Sequence, residues 1–167
     1  DYKKMDSLLN RGGTILGTSN KGRFAVKTGV GQLNQLDPNV MAASLKNFHE
    51  LGLKALVCVG GDGSLTIAQQ LFEGGIPLVG VPKTIDNDLE GTLLTFGFDS
   101  AVSCAMDAID RLHTTAESHN RIMIVELMGR YAGWITLWAG VSGGADVILL
   151  PEIPFNYQSI YAQIQKR

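Results

Sequence analysis

After Asp37-Pro38, apolar Met41, Leu45 and Phe48 recur at intervals of three and four residues until Gly52. An oxygen-bearing side chain followed by a residue without an amide hydrogen is a good helix start, so a helix is predicted over roughly 38–51. Lys54 to Val59 is then apolar without alternation and is bounded by glycine. A short continuous run of this kind reads as a strand buried on both faces. A turn follows at Gly60-Gly61-Asp62-Gly63-Ser64, then a helix over Leu65 to Phe72 stopped by Gly74-Gly75, then a second buried strand over Ile76 to Val81. Strand, glycine turn, helix and strand within about 30 residues make one parallel crossover unit.

The second half continues the alternation. Val102, Ala105, Met106, Ile109, Leu112 and Ala116 form an apolar stripe behind a cap at Asp99 or Ser100, which predicts a helix over 99–117. Ile122 to Leu127 reads as another buried strand, Tyr131 to Val141 as a helix despite Gly133 and Gly140, Asp146 to Leu150 as a strand, and the chain ends in a helix from about Tyr157. This order predicts an α/β fold with a mostly parallel, doubly wound sheet and helices on both sides. No internal repeat or low-complexity segment interrupts it.

Composition narrows the partners. At 167 residues, 45% hydrophobic and 18% charged, the chain has material for one compact domain or two small lobes. A formal net charge of -2 offers no basic excess for nucleic acid or an anionic bilayer, so neither is an expected partner. Apolar runs such as Ala55 to Val59 and Val147 to Leu150 are far short of the roughly 20 residues that span a membrane. Asp1 to Met5 lack the apolar stretch of a secretory signal. Cys58 and Cys104 lie in an apolar run and an apolar stripe without metal-type spacing, and are expected to be reduced core residues of a cytoplasmic protein. The 20 glycines cluster at the ends of apolar runs, which suggests functional turns.

Loops after consecutive parallel strands meet at the carboxyl edge of the sheet, where open α/β sheets bind ligands. In Gly60-Gly61-Asp62-Gly63-Ser64, glycines let the backbone approach phosphate oxygens, the following helix start offers unpaired amides, and Asp62 can hold magnesium. In Pro82-Lys83-Thr84-Ile85-Asp86-Asn87-Asp88, two carboxylates one residue apart repel each other unless a cation or donors are present. Phosphoryl transfer to a hydroxyl uses such a set: two carboxylates for magnesium and one to accept the nucleophile's proton. Taken alone, Asp-Asn-Asp reads instead as an exposed acidic turn capped by its own side chains. In Met128-Gly129-Arg130-Tyr131-Ala132-Gly133, an arginine at a strand end can fork onto a transferring phosphoryl group, although singly it reads as a surface salt-bridge partner. His49, His113 and His119 lack ligand spacing and read as surface or packing residues.

These three segments, with Arg121 between the second and third, resemble the phosphofructokinase family. The resemblance runs from Asn10-Arg11-Gly12-Gly13-Thr14-Ile15-Leu16-Gly17 through Pro151-Glu152. It implies transfer of a phosphoryl group from a nucleotide to the 1-hydroxyl of fructose 6-phosphate, between a nucleotide lobe (part of it residues 1–97) and a sugar-phosphate lobe (part of it residues 98–167). Asp62 resembles the family's magnesium ligand, and Gly61, Gly63 and Ser64 resemble residues lining the donor phosphates. Asp86 resembles the base, and Lys83, Thr84 and Arg130 stand with it as the catalytic candidates. Thr84 and Asp88 resemble contacts to the reacting phosphoryl group and the metal, Met128 and Gly129 contacts to the sugar phosphate, and Arg130 the group that stabilises the phosphoryl in flight. Arg121 resembles an arginine that reaches a neighbouring subunit's sugar 6-phosphate, which implies a homo-oligomer. Family segments are expected before residue 1 and after residue 167, so the chain reads as a central piece that turns over little by itself.

Donor choice rests on two positions that point different ways. Gly63 matches the ATP type, whereas Lys83 matches the pyrophosphate type, and ATP is the expected donor because a carboxylate at position 63 would exclude bulk more decisively than a lysine does at position 83. Asn20-Lys21-Gly22-Arg23 stands where bacterial ATP enzymes carry an arginine. His113 and Asp146 depart from the residues of the family's effector site. Competing readings are a pyrophosphate-dependent phosphofructokinase, an NAD or lipid kinase sharing only the first loop, and a noncatalytic assembly module. A Rossmann dehydrogenase is disfavoured because the Gly-x-Gly-x-x-Gly spacing is absent from the turn.

Overall fold

The structure is a computed structural model describing residues 8, 10–15, 17–18, 22–24 and 35–166. Asn20 and Lys21 of the displaced basic segment lie outside the described residues. The chain divides into two compact units, Asp1–Gly52 and Leu53–Arg167.

In the first unit, α1 (Pro38–Glu50) begins as the sequence predicts. The Asn39 N–H donates to Asp37 Oδ1 at 2.7 Å, and Pro38 occupies a position where no amide hydrogen is missed. Phe48 is the buried residue of this helix.

The second unit is built on a parallel sheet of β1 (Leu56–Gly60), β2 (Leu78–Thr84) and β3 (Phe96–Gly97), in that order. α2 (Asp62–Glu73) makes the crossover from β1 to β2, with Ala68 and Leu71 buried. Gly80 lies close to it: a Cβ there would come 3.1 Å from Leu65 Cδ2. The register pairs Gly60 with Pro82 and Thr84 with Gly97, so the two predicted loops leave the same edge.

Burial on both strand faces does not hold. Leu56 and Cys58 are half-buried on one face of β1, while Val57 and Val59 are 70% and 55% exposed on the other, as is Val79 of β2 at 62%. Among the described residues, α2 covers one face only. A continuous apolar run states that neither face carries polar side chains, not that a second layer covers it.

α3 (Phe98–His119) follows β3 directly, and α4 (Trp134–Ser142) packs on it through Phe98, Ala105, Ile109, Ile135 and Ala139, with Leu127 against the cluster. The expected cap at Asp99 or Ser100 is replaced by Gly97 at φ 111°, because the chain turns sharply from β3 into the helix. Cys104 is exposed, one position away from the stripe at Ala105, and Cys58 is half-buried; both are free, but neither is a core residue. Residues 122–127 and 146–150 are not strands, and Ile124 is 91% exposed. A strand needs a hydrogen-bonded neighbour, and among the described residues neither segment has one. α5 (Tyr157–Gln165) is capped by Asn156, whose side chain accepts from the Gln158 N–H at 2.7 Å. No helix of the described residues is long and apolar enough to cross a membrane.

Candidate active site

Glycine sets the first loop by close approach. A Cβ on Gly60 would overlap Ser64 Cβ and stand 2.7 Å from Ser64 Oγ, so strand end and helix start touch there. α2 begins at Asp62, earlier than the apolar pattern suggested, and its first hydrogen bond runs from the Leu65 N–H to the Gly61 carbonyl at 3.0 Å. The N–H groups of Asp62, Gly63 and Ser64 precede that bond, and Gly61 has no side chain with which to cap them. This leaves a row of donors at the positive end of the helix dipole.

The second loop lies against the first. A Cβ on Gly61 would come 3.1 Å from Thr84 Cβ and 3.4 Å from Thr84 Oγ1. Thr84 Oγ1 also accepts the Asp86 N–H at 3.3 Å, which turns the chain out of β2. Burial and then the neighbouring Asp88 push the Asp86 carboxyl above its ordinary range.

Asn87, between these acids, was not singled out by its sequence. It has φ 54°, a left-handed conformation that asparagine tolerates better than most residues. Its Oδ1 accepts the Thr95 N–H at 2.9 Å and its Nδ2 donates to the Leu93 carbonyl at 3.4 Å. Thr95 is buried, and its hydroxyl has no partner among the described residues.

Neither Asp62, Asp86 nor Asp88 forms an ion pair with a described residue, and among those residues no three His, Cys, Asp or Glu stand together as a metal cluster. Carboxylates without an ion-pair partner are the ligand type of a hard dication that keeps part of its ligand set as water and phosphate oxygen. The donor chemistry of Asp62 and Asp88 therefore fits magnesium.

The third segment is held differently. Gly129 has φ 147°, and a Cβ on it would overlap the Ala132 carbonyl, whose residue closes the turn by donating its N–H to the Gly129 carbonyl at 2.8 Å. Arg130 follows at φ 51°, with its guanidinium 4.6 Å from the centre of the Tyr131 ring. The Gly133 N–H, at the start of α4, donates to Glu152 Oε1 at 2.7 Å. Glu152 thus caps a helix from 19 residues away, a role that no local motif signals. Met128, Gly129, Arg130, Gly133, Leu149 and Pro151 line a cleft of about 390 Å³.

The structure brings Gly61 against Thr84, whose hydroxyl accepts the Asp86 N–H, with Asp88 near enough to act on the Asp86 carboxyl; Asp62, Gly63 and Ser64 follow Gly61 at the start of α2. It joins the Met128–Arg130 turn to them indirectly: Phe98 follows the Gly97 that pairs with Thr84, Leu127 precedes Met128, and Leu127 packs against the apolar cluster that contains Phe98. Lys83 is exposed on β2, and Arg121 is exposed just after α3. His113 packs α3 to the end of α4, its Nε2 lying 2.6 Å from the Gly143 carbonyl oxygen.

The phosphofructokinase family profile matches residues 1–167. The ATP-dependent 6-phosphofructokinase of Chloroflexus aurantiacus is 55% identical over 163 residues, covering 98% of this chain and 45% of that protein. That of Corynebacterium efficiens is 51% identical over 167 residues, covering 100% of this chain and 45% of its own length. The chain spans about half the length of these curated relatives. Among solved structures, phosphofructokinase from Saccharomyces cerevisiae is similar with a TM-score of 0.69 and 32% identity over 84% of this chain and 20% of that one. Pichia pastoris phosphofructokinase in the T-state has a TM-score of 0.65 and 26% identity over 76% and 14%. A match along its entire length makes this chain a member of the phosphofructokinase family.

Proposed function

We propose that this chain is the phosphoryl-transfer part of an ATP-dependent 6-phosphofructokinase, which phosphorylates the 1-hydroxyl of fructose 6-phosphate. The observation that carries the reading is the abutment of Gly61 on Thr84, which sets a phosphate-binding helix start beside the Asp86–Asp88 loop. In it, the N–H groups of Asp62, Gly63 and Ser64 bind donor phosphate oxygens, and Thr84 lies next to the reacting group. Asp86 takes the proton of the sugar 1-hydroxyl as that oxygen attacks the terminal phosphorus of ATP and the bond to the departing ADP oxygen breaks; burial and Asp88 raise its basicity. Asp62 and Asp88 would hold magnesium, which when bound neutralises charge on the phosphates.

Met128 and Gly129 line the sugar-phosphate side and Arg130 faces the transferring phosphoryl oxygens. Residues 1–97 then belong to the nucleotide lobe and 98–167 to the sugar-phosphate lobe, with Arg121 serving a neighbouring subunit of a homo-oligomer. Free cysteines suit a cytoplasmic setting.

Gly63 sits in the first turn of α2, where an added carboxylate would oppose phosphate charge and fill nucleotide space. Lys83 keeps a pyrophosphate donor in view as the second reading. The test is kcat/KM with each donor in a full-length enzyme carrying this chain, with and without Gly63→Asp. ATP is the preferred donor, and Gly63→Asp suppresses its use far more than that of pyrophosphate. A native preference for pyrophosphate would overturn the assignment and rank Lys83 above Gly63.

A further inference from the structure

β2 and β3 are parallel neighbours joined by residues 85–95 without a helix. A parallel connection ordinarily uses an intervening helix to carry the chain back. Here the connecting arch carries Asp86 and Asp88, yet much of its apolar surface faces water: Leu93 and Leu94 are both exposed. Packing alone is a weak source of order for such a segment. Polar bonds within it are few. Thr92 Oγ1 donates to the Leu94 carbonyl at 2.8 Å, which stays local to the end of the arch. Asn87 bridges the arch instead, from the residue between the two acids to the Leu93 carbonyl and the Thr95 N–H. Thr95 is buried immediately before β3, so the far end of that bridge is fixed to the sheet.

We propose that Asn87 is a positioning residue for phosphoryl transfer, its carboxamide clamping the acidic end of the 85–95 arch to the buried start of β3 so that Asp86 is held where the sugar hydroxyl arrives. Both ends of the carboxamide are used, one as acceptor and one as donor, and the left-handed backbone at Asn87 directs it back across the arch. Two roles are thereby separable. Glycine at 87 keeps the backbone conformation and loses the clamp, whereas alanine loses the clamp and adds strain. A misplacement of about 1 Å at a reacting group costs on the order of a hundredfold in rate. The inference rests on Asp86 acting as the base.

The test compares Asn87→Gly, Asn87→Ala and Asp86→Ser in a full-length enzyme carrying this chain, with kcat normalised to folded protein and KM measured for ATP and fructose 6-phosphate. Asn87→Gly is expected to lower kcat by about 10- to 100-fold while the KM for ATP stays within about twofold, since the donor loop is anchored separately. Asn87→Ala is expected to be no better than Asn87→Gly. In the native protein the Thr95 amide is expected to be protected from hydrogen exchange, and in Asn87→Gly to exchange at least about tenfold faster. A normalised kcat within about twofold of native in Asn87→Gly overturns the clamp, because the conformation at 87 would then be all that matters. So does an unprotected Thr95 amide in the native enzyme, a result that stands even if the variants fail to fold. Asp86→Ser separates the two levels. If it turns over normally, the base reading falls and the clamp with it; if it is inactive while Asn87→Gly is normal, only the clamp falls.

Discussion

The paired loops at Gly60–Ser64 and Thr84–Asp88 and the turn at Met128–Gly133 are held by different means. The loops extend from parallel strands whose register places Gly60 beside Pro82 and Thr84 beside Gly97, so their positions follow from the sheet ladder. The turn has no ladder among the described residues. Left-handed Gly129 and Arg130, the Glu152 carboxylate and the seating of Leu127 on the α3–α4 core hold it. One region is fixed by backbone pairing to neighbours, the other by a few individual contacts. In a site of the first kind a single crowded atom can be accommodated by trimming its neighbour, whereas in the second kind the backbone itself is the obstacle.

Paired substitutions sharpen this contrast. Gly129→Ala combines an unfavourable φ with overlap on the Ala132 carbonyl, and is expected to cost about 3 kcal/mol by denaturant unfolding, with no side-chain change at Ala132 relieving it. Gly60→Ala meets the Ser64 side chain and is expected to cost about 2 kcal/mol, of which Ser64→Gly recovers more than half. Equal rescue at both places would erase the distinction. Next in size, Glu152→Ala removes the acceptor for the Gly133 N–H and is expected to cost about 1 kcal/mol while loosening the turn and leaving the first two loops unchanged. Faster amide exchange at Gly133, with unchanged exchange across α2, checks it.

The smallest effect is electrostatic and belongs to the first region. Asp86 has a raised pKa in the folded chain through burial and then through Asp88, so the folded state holds this proton more tightly than the unfolded state does. The contribution to stability is therefore fullest at acid pH and is lost as pH rises through the folded value. Replacing the acid with Asn removes that loss. In buffer free of divalent cations, Asp86→Asn is expected to raise the melting temperature at pH 7, and the gain is expected to shrink on acidification below the ordinary carboxylate range. A gain that grows with acidity would contradict the environment described for Asp86.

Legibility follows the range of the determinants. Asp37-Pro38, the glycine turn and the Asp-Asn-Asp spacing are local, and α1, the crossover unit and the two loops were readable from them. The loss of strands at 122–127 and 146–150 was not readable, because an apolar run does not reveal whether a pairing neighbour stands beside it. The same ambiguity concealed the open face at Val57, Val59 and Val79. Asn87 and Glu152 act on residues eight and 19 positions away, so their partners emerge only once the chain is folded. The left-handed preference of asparagine was a signal for Asn87; nothing local marked Glu152.

In the proposed reaction Asp86 acts on the sugar hydroxyl during transfer, whereas the Gly60–Ser64 loop binds the donor. Steady-state kinetics of Asp86→Ser in a full-length enzyme carrying this chain tests it most directly, with ATP and fructose 6-phosphate varied separately. The kcat is expected to fall by at least about a hundredfold while the KM for ATP stays nearly unchanged, the signature of an interaction made in the transition state. A loss confined to KM, with kcat near the native value, would contradict it.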